Sequence, residues 1–200
     1  MRRMRPGCSV PDVRLETERL ILRNWAPGDL ARFAQVTNTP AVMRWLGGPM
    51  DAAALSATEA RVLACHGSHG HCFWLVERKD DGGHLGGEVL GFCGLKRADA
   101  PASTIPGAFE IGWRLREDAW GRGYAREAAS ASLDAAFTRF AAPEVFAITV
   151  IENTTSWGLM ERLGMRRRED LDYDDMRYDP PLRHTLVWSI APTMWTEARA

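Results

Sequence analysis

The sequence predicts a single α+β domain whose central sheet has about seven strands. The chain has 200 residues, which fits one domain, and 46% of them are hydrophobic, which is enough for a buried core. Short apolar runs rich in β-branched and aromatic residues alternate with segments of helical periodicity. Three consecutive apolar runs, separated by Gly-, Asp- or Pro-rich segments, favour an antiparallel meander.

The N-terminal part opens with a strand and continues with helices. Apolar and polar residues alternate at the end of the segment 15–23, which predicts the strand. A Pro-Gly-Asp triplet at 27–29 then begins a helix. A second helical patch covers 41–46 and stops at a Gly-Gly-Pro turn, and Asp51 caps a third helix that runs to Ala64. We expect this helical region to form a lid.

The remaining elements complete the sheet. The meander strands are predicted over 72–77, 89–96 and 109–115, followed by a helix over 125–140 and a strand over 145–151. A short helix over 154–163 ends at Gly164, and two more strands are predicted over 166–172 and 182–190. We therefore expect a disordered lead-in over 1–12, one domain over 13–190 and a tail over 191–200.

Composition excludes several classes of function. The net charge of −1 gives no reason to expect a nucleic-acid partner or a membrane surface. The basic residues 1–5 are followed by Pro and Gly rather than the apolar core of a signal peptide, and no apolar run approaches ~20 residues. Four scattered cysteines suit a reducing compartment. We expect a cytoplasmic protein without nucleic-acid or membrane partners.

The segment 120–125, Trp-Gly-Arg-Gly-Tyr-Ala, carries the strongest functional signal. It lies between a predicted strand and a predicted helix, where glycines let backbone N–H groups converge on an anion. The helix adds its unpaired first-turn donors and its dipole. The segment predicts a pyrophosphate site, and the alternative is a plain tight turn into an amphipathic helix. Neither the dinucleotide fingerprint nor the P-loop pattern fits.

Five blocks in order resemble the GNAT superfamily of N-acetyltransferases, and within it the ribosomal-protein N-terminal acetyltransferase branch. The resemblance covers about residues 13–190 and rests on the blocks 15–20, 43–48, 110–113, 120–125 with Glu127, and 153–156 with 164–165. It implies a three-layer α/β/α fold around a mixed, mostly antiparallel sheet with splayed central strands. It also implies acetyl-CoA as co-substrate, contacted by Trp113, Leu115, Gly121, Arg122, Gly123, Tyr124, Ala125, Arg126 and Asn153.

The chain departs from the superfamily at two positions. Trp120 opens the turn, where the wider superfamily often has Gln or Arg, although Trp is common in the resembled branch. Met160 stands where many relatives carry a tyrosine that protonates the departing thiolate. The first departure leaves the backbone cradle intact, and the second leaves the general acid unassigned by the resemblance.

The predicted chemistry needs a base, an oxyanion partner and an acid. Glu110, in an apolar strand, is predicted to deprotonate the amine through water, or alternatively is a rim carboxylate paired with an arginine such as Arg114. A strand amide such as that of Trp113 would hold the oxyanion. Asn153 would orient pantetheine and Ser156 would reach the sulfur, and the alternative is helix capping by Asn153 or Thr154.

The acceptor is predicted to be a primary amine on a small molecule or at a protein or peptide N-terminus. Trp45 and Glu110 are expected to line its pocket. The alternative function is an acyl-CoA sensor without turnover. Cysteines and histidines within 65–72 lack a standard metal spacing, so no metal is expected, and the apolar tail suggests a homodimer.

Overall fold

The computed structural model describes residues 12–199, which form a mixed sheet with helices on both faces. Apart from Asp12, the predicted lead-in lies outside the described residues. The strands are β1 (Arg14–Glu16), β2 (Leu20–Arg23), β3 (Phe73–Arg78), β4 (Val89–Arg97), β5 (Phe109–Leu115), β6 (Val145–Thr149), β7 (Arg166–Arg167), β8 (Tyr173–Asp174) and β9 (His184–Ile190). The helices are α1 (Asp29–Thr37), α2 (Pro40–Met43), α3 (Ala52–His69), α4 (Tyr124–Thr138), α5 (Thr154–Arg162) and α6 (Pro192–Arg199).

The predicted α+β class and the mostly antiparallel sheet are confirmed. The strand order is β1-β2-β3-β4-β5-β6-β9-β7, with β8 also paired to β9. Among the strands of residues 12–199, only β5 and β6 run parallel. The expected strand over 15–23 is a hairpin of two strands. The strand predicted over 166–172 is wrong beyond Arg167, because a 3₁₀ turn at Glu169–Leu171 interrupts it.

The sheet buries both of its faces, each against a different helix. On one face, Cys93 and Ile111 pack into the main core with Leu133 of α4. On the other, Phe92 of β4 packs against Phe33 of α1, with ring centroids 5.6 Å apart. Since alternate residues of a strand point to opposite faces, β5 presents its odd-numbered side chains to α4 and its even-numbered ones to the α1 face.

A wedge opens between the two central strands, as the family resemblance implied. β5 and β6 pair only at Phe109 with Val145 and at Glu110 with Phe146. The pairing ends there, although β5 continues to Leu115 and β6 to Thr149. Backbone polar groups on the β6-facing edge of β5 beyond Glu110 therefore have no strand partner.

The C-terminal tail is a helix that packs on its own chain. Trp195 of α6 is buried in the main core, and its indole Nε1 donates to Asp134 Oδ1 at 2.9 Å. Trp195 is therefore not the exposed contact expected for a second copy, and the homodimer stays a prediction. Within residues 12–199, every helix is too short or too polar to cross a membrane.

Candidate active site

A cavity of about 860 Å³ enters the wedge between β5 and β6. Ile111, Trp113 and Leu115 line it from β5, while Ile148 and Thr149 line it from β6. Its other walls come from the loop before α4, the start of α5, the segment after α2 and the loop between β8 and β9. One continuous space thus connects the predicted anion cradle with the opened strand edge.

The cradle has the backbone geometry that an anion requires. Gly121 and Gly123 have φ angles of +70° and +81°, in the left-handed region that favours glycine. Gly123 is the N-cap of α4 and no side chain caps the helix, so the amides of its first turn have no side-chain partner. Together with Ala125 and Arg126, these glycines line the cavity. A phosphate or pyrophosphate fits this cradle.

The hairpin between β1 and β2 holds the cradle in place. Glu127 on α4 accepts hydrogen bonds from Thr17 Oγ1 at 2.5 Å, from the Arg19 amide at 2.8 Å and from Arg19 Nε at 2.7 Å. Arg19 Nη1 also donates to the Arg122 carbonyl at 3.1 Å. The 15–20 block thus has a definite physical role, which is to fix the N-terminal turn of α4.

Of two predicted cofactor contacts, Tyr124 lines the cavity and Arg122 does not. The Tyr124 hydroxyl accepts from Arg78 Nε at 3.2 Å and donates to the His84 carbonyl at 3.1 Å, so this buried phenol is held by the protein. Tyr124 nevertheless belongs to the cavity lining, whereas Arg122 is exposed outside it.

The start of α5 brings the two polar candidates into the same cavity. Asn153 and Ser156 both line it, next to the buried Met160. Asn153 occupies the N-cap position, yet its side chain makes no capping bond and instead accepts from Thr155 Oγ1 at 3.2 Å. The capping alternative for Asn153 is therefore wrong, and its Nδ2 donor has no partner among the described residues.

Glu110 sits at the closed end of the wedge and is buried. Its partner is Lys96, directly opposite on β4, with Nζ and Oε2 3.3 Å apart. The alternative of a rim carboxylate paired with an arginine such as Arg114 is wrong, because Glu110 is buried and its partner is a lysine. Burial raises the pKa of Glu110, and the Lys96 ammonium limits that rise. Glu110 does not belong to the cavity lining, so a proton from the cavity would reach it through water.

The other end of the cavity is rich in arginine. Trp45 lines it as predicted, with the Arg44 guanidinium 4.8 Å from its ring centroid. Asp175 is the one carboxylate lining the cavity among the described residues, and it accepts from Arg177 Nε at 2.9 Å and from Nη2 at 2.6 Å. Five arginines line the whole cavity, and they are Arg44, Arg114, Arg126, Arg162 and Arg177.

Sequence reasoning missed the contributors from the loop between β8 and β9. Asp175, Arg177 and Tyr178 lie in a segment without periodicity, and only the folded sheet brings them opposite the segment after α2. Arg114 carried a signal, since a charged residue inside an apolar strand is unusual. On sequence grounds alone, that signal is explained equally by a partner for Glu110.

The cysteines and histidines within 65–72 lie mostly on a helix or in the core. Cys65, His66 and His69 lie on α3, which continues beyond its predicted end at Ala64. His71 is buried, stacks on Phe109 at 5.2 Å and contacts the Leu95 carbonyl through Nδ1 at 3.3 Å. Across residues 12–199, no group of three or more His, Cys, Asp or Glu side chains is placed to hold a metal ion.

The fold has counterparts in known proteins. The model of the acetyltransferase (GNAT) domain matches residues 19–166. An acetyltransferase from Agrobacterium tumefaciens superposes with a TM-score of 0.70 at 26% identity, covering 94% of this chain and 98% of that one. A ribosomal-protein-S5-alanine acetyltransferase from Vibrio fischeri shares the fold, with a TM-score of 0.67 at 17% identity over 92% of this chain and 99% of that one.

Two bacillary proteins are similar in sequence. The uncharacterized protein YkkB of Bacillus subtilis is 30% identical over 153 residues, which cover 76% of this chain and 84% of that protein. The uncharacterized N-acetyltransferase p20 of Bacillus licheniformis is 27% identical over 164 residues, covering 80% and 86%.

Proposed function

This chain belongs to the GNAT family of acetyltransferases, and we propose that it transfers acetyl from acetyl-CoA to a primary amine by direct attack, with Glu110 as the base. The acceptor is a small-molecule amine or the N-terminal amino group of a peptide or protein. The observation that carries the proposal is the wedge: strand pairing ends at Glu110, and the cavity there reaches from the α4 cradle to the arginine-rich end.

The donor end has the residues that a coenzyme A pyrophosphate needs. Backbone amides of Gly121, Gly123 and the first turn of α4 would hold it, because no protein side chain occupies them. Gly121 faces open space, since a Cβ atom added there would meet no other atom within 4 Å. Arg126 adds positive charge on the cavity side, and Arg122 would reach an extended phosphate from outside the lining.

The wedge supplies groups for the thioester. Acetyl-CoA when bound provides a carbonyl for the amine to attack and a thiolate that must be protonated. The unpaired edge of β5, with the Trp113 amide as our candidate, donates a hydrogen bond to the carbonyl oxygen. The free Nδ2 of Asn153 orients the pantetheine arm, and the Ser156 hydroxyl delivers the proton to sulfur.

Glu110 takes the amine proton through water. Its buried position raises the pKa of the carboxyl, which makes it a stronger base than an exposed glutamate. An α-amino group has a pKa of ~8 and a lysine side chain has one of ~10.4, so a weak base deprotonates the α-amino group more easily. This difference supports an N-terminal amine or a weakly basic small molecule as the acceptor.

A second candidate function is an acyl-CoA sensor that does not turn over. Two observations favour it: buried Met160 replaces the tyrosine that many relatives use, and Glu110 does not itself line the cavity. The two functions differ in one observable. An enzyme releases CoA thiol in proportion to added amine, whereas a sensor binds acetyl-CoA and leaves it intact.

The test is thiol release from acetyl-CoA with a panel of amino acids, short peptides, polyamines and aminoglycosides, with the acetylated product identified by mass. We expect amine-dependent release with at least one class. Saturable acetyl-CoA binding without release across the whole panel would contradict direct transfer and favour the sensor.

A further inference from the structure

Arg114 is a largely buried cation that has no counter-ion among the described residues. Its Nε and Nη1 atoms are shielded from solvent and have no hydrogen-bond partner within the described chain. The residue lines the cavity. Burial lowers the pKa of Arg114 to about 10, so the group stays charged at neutral pH. Arginine carries five N–H donors and no acceptor, which makes this arrangement costly unless a ligand completes it.

The surrounding protein groups do not neutralise this charge. Phe92 and Phe33 lie 5.3 and 5.8 Å from the guanidinium carbon, and their ring faces compensate only part of the lost hydration. Arg61 adds a charge of the same sign. Asp175, the one carboxylate of the cavity lining among residues 12–199, is already held by Arg177.

The position of Arg114 points to the acceptor rather than to the coenzyme. Arg114 and Glu110 lie on the same face of β5, about 13 Å apart at a rise of ~3.3 Å per residue. That face packs against α1, whereas the pyrophosphate cradle belongs to α4 on the opposite face. A cation on the α1 face is therefore separated by the sheet from the groups that would hold the coenzyme phosphates.

We propose that the acceptor amine also carries a carboxylate, and that Arg114 binds it. This inference rests on the proposed acetyl transfer and specifies its substrate class. A carboxylate is planar and can bridge two guanidinium nitrogens. The single charge of Arg114 matches a monoanion better than a phosphate dianion. Free amino acids and peptides with an acidic residue near the N-terminus both present this chemistry.

The experiment compares matched acceptors with wild-type protein and Arg114→Met. Each amino acid is paired with its primary amide, acidic peptides with their Asn/Gln counterparts, and O-phosphoethanolamine with ethanolamine. The control is Arg61→Met, which loses the same charge from an exposed site on α3 outside the cavity. Acetyl-CoA affinity and the melting temperature are measured for all three proteins.

We expect wild type and Arg61→Met to prefer one carboxylate class over its neutral partner by about 10- to 100-fold in kcat/KM, as charge-assisted hydrogen bonds imply. Arg114→Met should reduce that preference below about 3-fold, again because the charge-assisted bond is lost. Its acetyl-CoA affinity should stay unchanged. Preference for free acids or for acidic peptides identifies the carboxylate source.

Three results would overturn the inference. They are equal rates on acids and amides in wild type, a preference that survives in Arg114→Met, and an Arg114-dependent preference for the phosphate alone. If no amine is turned over, the proposed function fails, and the Arg114 site is then tested by calorimetry with N-acetyl amino acids and their amides added to the CoA-bound protein. Carboxylate-specific binding that Arg114→Met abolishes supports the site, and its absence contradicts it.

Discussion

The two ends of the cavity are built by different means. At the α4 end, Gly121, Gly123 and the first turn of the helix present backbone groups, and the β1–β2 hairpin fixes them through Glu127. At the arginine-rich end, the side chains of Arg114, Trp45 and Asp175 come from segments that are distant in the chain. A backbone cradle tolerates change in neighbouring side chains, whereas a side-chain pocket changes with each substitution. In the proposed function, the backbone end fixes the donor and the side-chain end selects the acceptor.

The largest expected effect is a loss of rate on substitution of Glu110, which lies at the closed end of the wedge. Glu110→Gln removes the proposed base but keeps its shape, so kcat/KM should fall about 100-fold or more at neutral pH. Acetyl-CoA affinity, measured by calorimetry, should not change. Asp99→Asn is the matched control, because Asp99 accepts from the same Lys96 ammonium at 2.5 Å, and its rate should stay within about 3-fold. An unchanged rate in Glu110→Gln would remove Glu110 from the mechanism.

The pH dependence of kcat/KM in a Lys96 variant tests the same role of Glu110. The rate requires ionised Glu110, so kcat/KM should rise with pH through the pKa of that carboxyl. Burial raises this pKa and the Lys96 ammonium lowers it. Removing the cation in Lys96→Met should therefore move the acid limb of the pH profile to higher pH, measured with one amine for both proteins. A limb that stays in place or moves to lower pH would show that another group titrates.

Two glycine substitutions distinguish an effect on acetyl-CoA binding from an effect on stability alone. Gly121→Ala and Gly28→Ala both place a side chain at positive φ with no atom within 4 Å, so each should cost about 1–2 kcal/mol of unfolding free energy. Only Gly121 lines the cavity. The dissociation constant for acetyl-CoA should rise about 10-fold in Gly121→Ala, through lost charge-assisted hydrogen bonds, and stay constant in Gly28→Ala. Equal affinities would contradict a pyrophosphate site at this turn.

The smallest expected effect contrasts two N-cap positions. Asp51 caps α3 by accepting from the Ala54 amide at 2.8 Å, so Asp51→Ala should cost about 1 kcal/mol of stability without changing acetyl-CoA affinity. Asn153 makes no such bond. Asn153→Ala should leave the melting temperature unchanged and weaken acetyl-CoA binding about 5-fold, because one hydrogen bond is lost. The reverse pattern would assign Asn153 a structural role.

The same contrast explains what the sequence could predict. The cradle is a local feature, because glycines and the start of a helix lie within six consecutive positions, and the pattern predicts both the turn and its ligand class. The wedge followed only from the family resemblance, since register between β5 and β6 depends on segments 36 residues apart, as the pairing of Phe109 with Val145 illustrates. The helix starting near Asp51 was also predictable, because its cap is local.

The acceptor end could not be predicted in the same way. Arg114 and Tyr178 meet there only because the loop between β8 and β9 folds over the α1 face, and neither residue belongs to a motif. The identity of the partner of Glu110 depended on strand register: Lys96 lies directly opposite on β4, whereas Arg114 on the same strand is too far along it. The strand predicted over 166–172 ends early because a 3₁₀ turn at Glu169–Leu171 interrupts it.

The most direct test of separate donor and acceptor ends is a double variant. Gly121→Ala, Arg114→Met and their combination are assayed for kcat/KM on the best carboxylate-bearing amine. Groups on opposite faces of the sheet should act independently, so the combined loss should equal the product of the single losses within about twofold. Gly121→Ala should also leave the preference for acid over amide intact. A combined loss far from the product, or a preference that changes with Gly121, would contradict the account.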